Sequence, residues 1–142
     1  MGDSITQAGD YVADCECWLL AHGIQVEVLN LGLASETASQ LTEAENAAHL
    51  KKYGFGKPCV SERLDRALAQ TKPDLLFACY GMNDGSSLPT NLTGVSRFAE
   101  AITHLRDTAL KAGVKRVVIC TPPVYDAKGD PQKKYYDDNL TR

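Results

Sequence analysis

Three short polar segments of this chain contain residue types that could carry out acyl transfer. They are Gly2-Asp-Ser-Ile-Thr6, Asn30-Leu-Gly32 and Gly81-Met-Asn-Asp84. A serine hydroxyl can attack an ester carbonyl when a base accepts its proton, and N–H groups can stabilise the oxyanion that the attack creates. Each segment also has an ordinary interpretation, because serine, glycine and asparagine are common in turns and at helix caps.

The hydrophobic pattern predicts the helices and strands that would position these segments. Helical spacing and glycine stops predict helices at 11–22, 39–53 and 61–71, and a fourth marked by Phe98, Ile102, Leu105 and Ala109 that ends at Gly113. Apolar runs predict strands at 25–32, 75–80 and 116–120. No hairpin signal separates the strands, so they should run parallel with helical crossovers. We therefore expect an α/β fold over residues 1–142, a three-layer α/β/α sandwich of the flavodoxin-like kind.

The three polar segments fall where parallel α/β sheets usually form binding sites. The first precedes the helix at 11–22, and the other two follow strands, at the carboxyl edge of the sheet. In order and placement they resemble the first three sequence blocks of the GDSL/SGNH hydrolases, which are esterases and acylhydrolases. Those blocks are Gly-Asp-Ser-x-Thr, an isolated glycine after the next strand, and Gly-x-Asn-Asp. The resemblance runs through nearly the whole chain.

The resemblance implies a role for one residue of each block. Ser4 would be the nucleophile, and its backbone N–H, the Gly32 N–H and the Asn83 side-chain amide would form the oxyanion hole. Such donors contribute roughly 3 to 4 kcal/mol each. The substrate would be a small-molecule acyl ester, with a weak preference for carbohydrate O-acetyl groups, and no cofactor is expected. Asp3 and Asp84 should tie loop N–H groups together rather than act as catalytic acids.

Two elements of that family are not found in the sequence. The family's Asp-x-x-His block supplies the base, but no histidine here (His22, His49 or His104) has an aspartate three positions before it. We expect structural roles for all three. The family fold also has a central strand before Gly-Asp-Ser, whereas only Met1 precedes Gly2. We therefore expect a partial SGNH-type domain, truncated at both ends, that folds poorly alone and is inactive without the rest of its parent protein.

Composition argues against several other classes of protein. The 142 residues are 44% hydrophobic with a net charge of −3, which fits one globular domain and offers no basic field for nucleic acid. No apolar stretch approaches the ~20 residues of a membrane span, and no signal peptide is evident, although one could have preceded the missing first strand. The five cysteines do not indicate a disulfide framework or a metal site. Compartment and oligomeric state stay open.

A binding or structural module is the competing interpretation. A flavodoxin-like sandwich could keep these loops without catalysis, or bind an anion at a helix N-terminus. The loop Gly54-Phe-Gly-Lys57 lacks the spacing of a phosphate-binding loop and is a better candidate for a lid or rim. Tyr125 could touch substrate or serve packing, and Tyr135 and Tyr136 could open one more helix.

Overall fold

Six α-helices and a two-stranded parallel sheet make up the part of the chain that the computed structural model describes, residues 1–89 and 91–123. The helices are α1 (Ser4–Ala8), α2 (Asp10–Ala21), α3 (Glu43–Tyr53), α4 (Leu64–Thr71), α5 (Met82–Gly85) and α6 (Leu92–Lys111); a 3-10 turn spans Val60–Glu62, and the strands are β1 (Leu75–Cys79) and β2 (Arg116–Cys120). The predicted α/β class is confirmed. The predictions for Tyr125, Tyr135 and Tyr136 lie outside the described residues.

The crossover between β1 and β2 builds the hydrophobic core. The two strands pair in register from Leu75 opposite Arg116 to Cys79 opposite Cys120. The connecting helix α6 has 20 residues and presents the predicted apolar stripe, in which Leu105 and Ala109 are fully buried. Buried residues of α4 and β1 join the same cluster. Local periodicity therefore predicted this half of the fold well, because the stripe and the strands coincide with sequence patterns.

The strand predicted at 25–32 does not form. Its residues adopt no regular strand structure, and only Gly32 makes an isolated bridge. A strand needs a hydrogen-bonded neighbour along its length, but among the described residues the only bridge made by this segment joins Gly32 to Gly2. Ile24, Val26 and Leu29 consequently remain 41–48% exposed. The prediction was wrong because an alternating pattern cannot create the partner that a strand requires.

Met1 and Gly2 occupy the position between the segment 25–32 and β1. Gly2 pairs in parallel with Gly32 on one side and with Cys79 on the other. The Met1 amine donates to the Phe77 carbonyl at 2.7 Å, and the Cys79 N–H donates to the Met1 carbonyl at 3.1 Å. Burial lowers the pKa of this amine. The hydrogen bonds of Met1 and Gly2 therefore hold the start of α1 beside the carboxyl end of β1.

Two predicted helices begin later than their sequence patterns suggested. The helix predicted at 39–53 begins at Glu43, because Thr42 and Glu45 form a capping box that defines its first turn. The helix predicted at 61–71 is divided into the 3-10 turn and α4, since Arg63 between them has non-helical backbone angles. The capping residues determine where a helix begins more strongly than the overall amino-acid composition of the segment does.

An ion pair between α6 and α3 should make stability depend on acid pH. Arg97 donates to both carboxylate oxygens of Glu45, and this hydrogen bonding is the main reason that the pKa of Glu45 falls to about 2 from its ordinary 4.5. A depressed carboxyl pKa gives stability that is present above about pH 4.5 and is lost as the pH falls towards about 2. We expect Glu45→Gln to lower the free energy of unfolding by about 1 kcal/mol near neutral pH, because the pair is partly exposed.

Urea unfolding of wild type and Glu45→Gln across that pH interval measures this effect. The difference between the two proteins should shrink as the pH falls. Glu43→Gln is the matched control, because it removes a charge from the same first turn of α3 and no ion pair is recorded for Glu43 in the described structure. A difference that stays constant from about pH 5 to about pH 2 would contradict the assignment.

Candidate active site

Ser4 is the first residue of α1, a five-residue helix that the sequence pattern did not predict. Asp3 caps this helix by accepting a hydrogen bond from the Ile5 N–H at 3.0 Å, which agrees with the structural role expected for Asp3. The sequence analysis placed the first helix at 11–22, after this segment, whereas the structure has an earlier helix that begins at Ser4 itself. A helix this short carries no apolar periodicity by which it could be recognised. The Ser4 side chain is exposed and makes no hydrogen bond to any described residue.

Close backbone contacts hold α1 against the end of β1. The Thr6 hydroxyl is hydrogen-bonded to the Tyr11 hydroxyl at 2.7 Å. A Cβ at Gly2 would lie 2.0 Å from the Thr6 hydroxyl oxygen and 2.8 Å from the Cys79 carbonyl oxygen, so position 2 has no room for a side chain. Burial, together with a contact to Cys79, raises the pKa of Tyr11 to about 12. Because glycine has no side chain, Gly2 can lie this close to both Thr6 and the end of β1.

Gly32 lies directly against the backbone of α1. A Cβ at Gly32 would meet the Gln7 nitrogen at 2.2 Å and the Thr6 carbonyl carbon at 2.6 Å. The Gly32 N–H donates to Asn30 Oδ1 at 2.9 Å, and Asn30 Nδ2 donates to the Thr6 carbonyl at 2.7 Å. Gly32 is therefore beside the helix that begins at Ser4, but its N–H already has an acceptor, which any other acceptor would have to share or displace.

Asn83 lies on the short helix α5 and contacts the loop that follows Gly32. Its Nδ2 donates one hydrogen to the Glu36 carbonyl at 3.1 Å. A side-chain amide has two N–H donors, so this contact leaves one for another acceptor. The segment 30–37 therefore touches α1 at Gly32 and α5 at Glu36. In this way the structure links all three predicted site residues through one loop.

Asp84 is a buried carboxylate with the structural role that was expected. It is 2% exposed and accepts hydrogen bonds from the Ala38 N–H at 3.1 Å and the Ser39 N–H at 2.8 Å. Burial raises the pKa of Asp84, and these two backbone hydrogen bonds oppose the shift. The contacts attach α5, and with it Asn83, to the loop that precedes α3.

Lys57 connects the loop 54–57 to the end of α5, and the sequence analysis did not predict this role. Its Nζ donates to the hydroxyls of Ser86 and Ser87 at 2.8 Å each and to the Asn83 carbonyl at 3.2 Å. Burial lowers the pKa of Lys57, while the nearby carboxylates of Asp84 and Asp3 act in the opposite direction. No sequence signal marked Lys57, because a lysine between a glycine and a proline reads as an ordinary loop residue.

Glu36 is the second feature that the sequence analysis missed. Its side chain is 0% exposed and forms an ion pair with Arg63, with Nε to Oε1 at 2.6 Å and Nη2 to Oε2 at 2.7 Å. The Tyr80 hydroxyl donates to Oε2 at 2.6 Å. Burial raises the pKa of Tyr80, and the hydrogen bond with Glu36 raises the pKa of Arg63. Buried acids are exceptional unless they are paired, and residue type alone does not identify them.

The three histidines of the chain have contacts other than Ser4. His22 stacks on Trp18 at the end of α2, and its Nδ1 is 2.7 Å from the Trp18 carbonyl. His49 packs against Tyr53 and Phe55, and burial lowers its pKa. His104 is exposed on α6. No hydrogen bond joins any of these histidines to Ser4, so the described residues offer the nucleophile no imidazole base.

Comparisons with known proteins return nothing for this chain: no family model matches it, and neither does a curated protein or a solved structure. Within residues 1–89 and 91–123, no group of three or more His, Cys, Asp or Glu side chains could hold a metal ion. No helix of that same part has the length and apolar character needed to cross a membrane.

Proposed function

We propose that this chain carries the nucleophile and the oxyanion donors of a GDSL/SGNH-type serine esterase that acts on small-molecule acyl esters. The observation that carries the proposal is that the loop 30–37, which contains Gly32, lies against α1, the helix that begins at Ser4, and contacts Asn83 through the Glu36 carbonyl. The proposed scaffold is the three-layer, flavodoxin-like α/β/α sandwich of that family. We also propose that residues 1–142 form part of the catalytic domain of such an enzyme.

In the proposed reaction the Ser4 hydroxyl oxygen attacks the ester carbonyl carbon. The carbonyl electron pair moves to oxygen, and the oxyanion accepts hydrogen bonds from the Ser4 N–H, the Gly32 N–H and the second amide hydrogen of Asn83. The Ser4 N–H is suited to this, because N–H groups in the first turn of a helix have no intrahelical acceptor. The base passes the proton taken from Ser4 to the leaving oxygen, so the tetrahedral intermediate expels the alcohol and leaves an acyl-serine ester. Water then attacks that ester, releases the carboxylic acid and regenerates the Ser4 hydroxyl.

The proton acceptor is the part of the reaction that the described residues do not supply. A serine hydroxyl is a weak nucleophile unless a neighbouring base accepts its proton. Because none of the three histidines bonds to Ser4, we expect the chain alone to be inactive. Imidazole added to the solution should give Ser4-dependent turnover, since imidazole can act as a mobile base.

Hydrolysis of p-nitrophenyl acetate with and without imidazole tests the proposed function. We expect Ser4→Ala to reduce the rate to that of imidazole without protein. Ser61→Ala is the matched control, because Ser61 is an exposed serine outside the loop 30–37, and it should retain the rate of the wild type. Equal rates for wild type and Ser4→Ala at every imidazole concentration would exclude Ser4 as the nucleophile.

Two observations favour a second candidate, a non-catalytic flavodoxin-like binding or structural module. The Gly32 N–H already has an acceptor in Asn30 Oδ1, and the described residues place no base at Ser4. A chain that kept the loops for structural reasons would have both properties. The same assay separates the candidates, because a module of this kind would show no Ser4-dependent turnover at any imidazole concentration.

A further inference from the structure

Arg63 contacts two parts of the loop 30–37 with a single guanidinium group. It holds both carboxylate oxygens of Glu36, and its Nη2 also donates to the Leu31 carbonyl at 2.8 Å. The Arg63 side chain is only 18% exposed and the Glu36 side chain is fully buried. Arg63 itself lies between the 3-10 turn and α4, outside the loop that it contacts. The loop 30–37 is therefore held by a residue that lies elsewhere in the sequence.

The contact with Leu31 fixes the direction of the Gly32 N–H. The Leu31 carbonyl and the Gly32 N–H belong to the same peptide unit, which is planar and trans, so the two bonds point in opposite directions. A hydrogen bond that holds this carbonyl towards Arg63 consequently turns the N–H away from Arg63. On that opposite side the Gly32 N–H meets Asn30 Oδ1, and Gly32 packs against α1.

The contact with Glu36 fixes the direction of the Asn83 amide. Arg63 and Tyr80 together immobilise the Glu36 carboxylate, and the carbonyl of Glu36 accepts one hydrogen from Asn83 Nδ2. Because an amide group is planar, holding one N–H also determines where the second one points. The orientation of Asn83 therefore depends on the position of Glu36, which Arg63 sets.

We propose that Arg63 is a positioning residue that aligns the two proposed oxyanion donors outside α1, the Gly32 N–H and the Asn83 amide. This inference rests on the proposed esterase function. Arg63 does not touch the substrate in this arrangement; it acts through the Leu31–Gly32 peptide and through Glu36. The role requires a rigid planar fork that holds both carboxylate oxygens of Glu36 side by side while it donates to the Leu31 carbonyl. A lysine ammonium also has three N–H donors, but it is a compact group on a flexible stem and cannot reproduce this fixed geometry.

Arg63→Lys tests this role, and the chain offers a close control. Arg97 also binds both oxygens of one carboxylate, that of Glu45, and one backbone carbonyl, that of Gln40, but it does so away from the loop 30–37. With p-nitrophenyl acetate at a fixed imidazole concentration, we expect Arg63→Lys to lower the apparent kcat by about 10-fold to 100-fold. The KM should stay within about twofold, because misaligned oxyanion donors affect the transition state more than substrate binding. Arg97→Lys should change both constants by less than about twofold.

An NMR measurement separates failure of this inference from failure of the proposed function. The resonances of the Gly32 backbone amide and the Asn83 side-chain amide should shift in Arg63→Lys and stay in place in Arg97→Lys. If the wild type shows no Ser4-dependent turnover, the esterase proposal fails, and these resonances alone decide whether Arg63 positions the two groups. Unshifted resonances in folded Arg63→Lys, or an unchanged kcat in an active protein, would overturn the inference. If Arg63→Lys does not fold, Glu36→Gln, which keeps the shape of Glu36, is tested by the same two readouts.

Discussion

Replacement of Asp84 with alanine is expected to lower the free energy of unfolding by about 2 to 5 kcal/mol. The buried carboxylate is the acceptor for the Ala38 and Ser39 N–H groups. Without it, both N–H groups would stay buried with no acceptor, and each such group costs roughly 1 to 3 kcal/mol. Urea unfolding at neutral pH measures the loss. Asp65→Ala, at an exposed position on α4, is the control and should change stability by less than about 0.5 kcal/mol.

The pH dependence gives a second measure of the same carboxylate. Burial raises the pKa of Asp84 above its ordinary 3.8. A raised carboxyl pKa gives stability that is fully present below about 3.8 and is lost as the pH rises through the pKa of the folded state. The free energy of unfolding of wild type minus that of Asp84→Asn should therefore decrease with rising pH over that interval. An increase, or a loss of less than about 1 kcal/mol in Asp84→Ala, would show that Asp84 does not hold the loop in this way.

Gly32→Ala is expected to damage both stability and the proposed activity. The new Cβ would lie 2.2 Å from the Gln7 nitrogen and 2.6 Å from the Gln7 Cα, which are backbone atoms of the helix that begins at Ser4. Relief of this overlap requires α1 and the loop to separate. We expect a loss of about 1 to 3 kcal/mol from overpacking. A displacement of about 1 Å at the nucleophile should also lower Ser4-dependent turnover by about 100-fold.

Thermal unfolding and p-nitrophenyl acetate hydrolysis in imidazole measure the two effects of Gly32→Ala. Gly56→Ala is a matched control, because its Cβ would meet only the end of the Asn46 side chain, at 2.5 Å, and a side chain can move away. We expect Gly56→Ala to cost less than Gly32→Ala in stability. If Gly32→Ala unfolds at the same temperature as the wild type, the close packing of the loop against α1 is not required for the fold.

The sequence predicted the elements whose patterns are local. The apolar run that forms β1 and the stripe of Leu105 and Ala109 on α6 both depend on periodicity over a few residues, and the structure confirms them. The structure also places Gly32 against α1, the helix that begins at Ser4, although the strand predicted to deliver Gly32 does not form. The two confirmed elements, β1 and α6, share one cause: the information lies within about one turn or one strand of the residue concerned.

The failures concern interactions between residues that are distant in the chain. The segment 25–32 has a strand-like pattern, but hydrogen bonding along a strand depends on a neighbour that local pattern cannot supply. Glu36 and Arg63 are 27 positions apart, and each one alone resembles a surface charge. Helix α1 depends on a single cap at Asp3 rather than on apolar spacing. The network that holds the candidate site is therefore visible only in three dimensions.

The buried amine of Met1 has a practical consequence for how this protein is prepared. This nitrogen donates to the Phe77 carbonyl at 2.7 Å, and burial lowers its pKa because the charged form is poorly hydrated there. An affinity tag or an acetyl group joined to Met1 would convert the ammonium to a neutral amide, which keeps one N–H for Phe77 and removes the charge from a poorly hydrated position. Enzymatic removal of Met1 would instead delete a residue that is only 7% exposed and leave the Cys79 N–H without its acceptor. The chemical state of Met1 therefore affects the hydrogen bonds and packing beside β1. Each variant should be checked by intact-mass measurement before its stability is compared with that of the wild type.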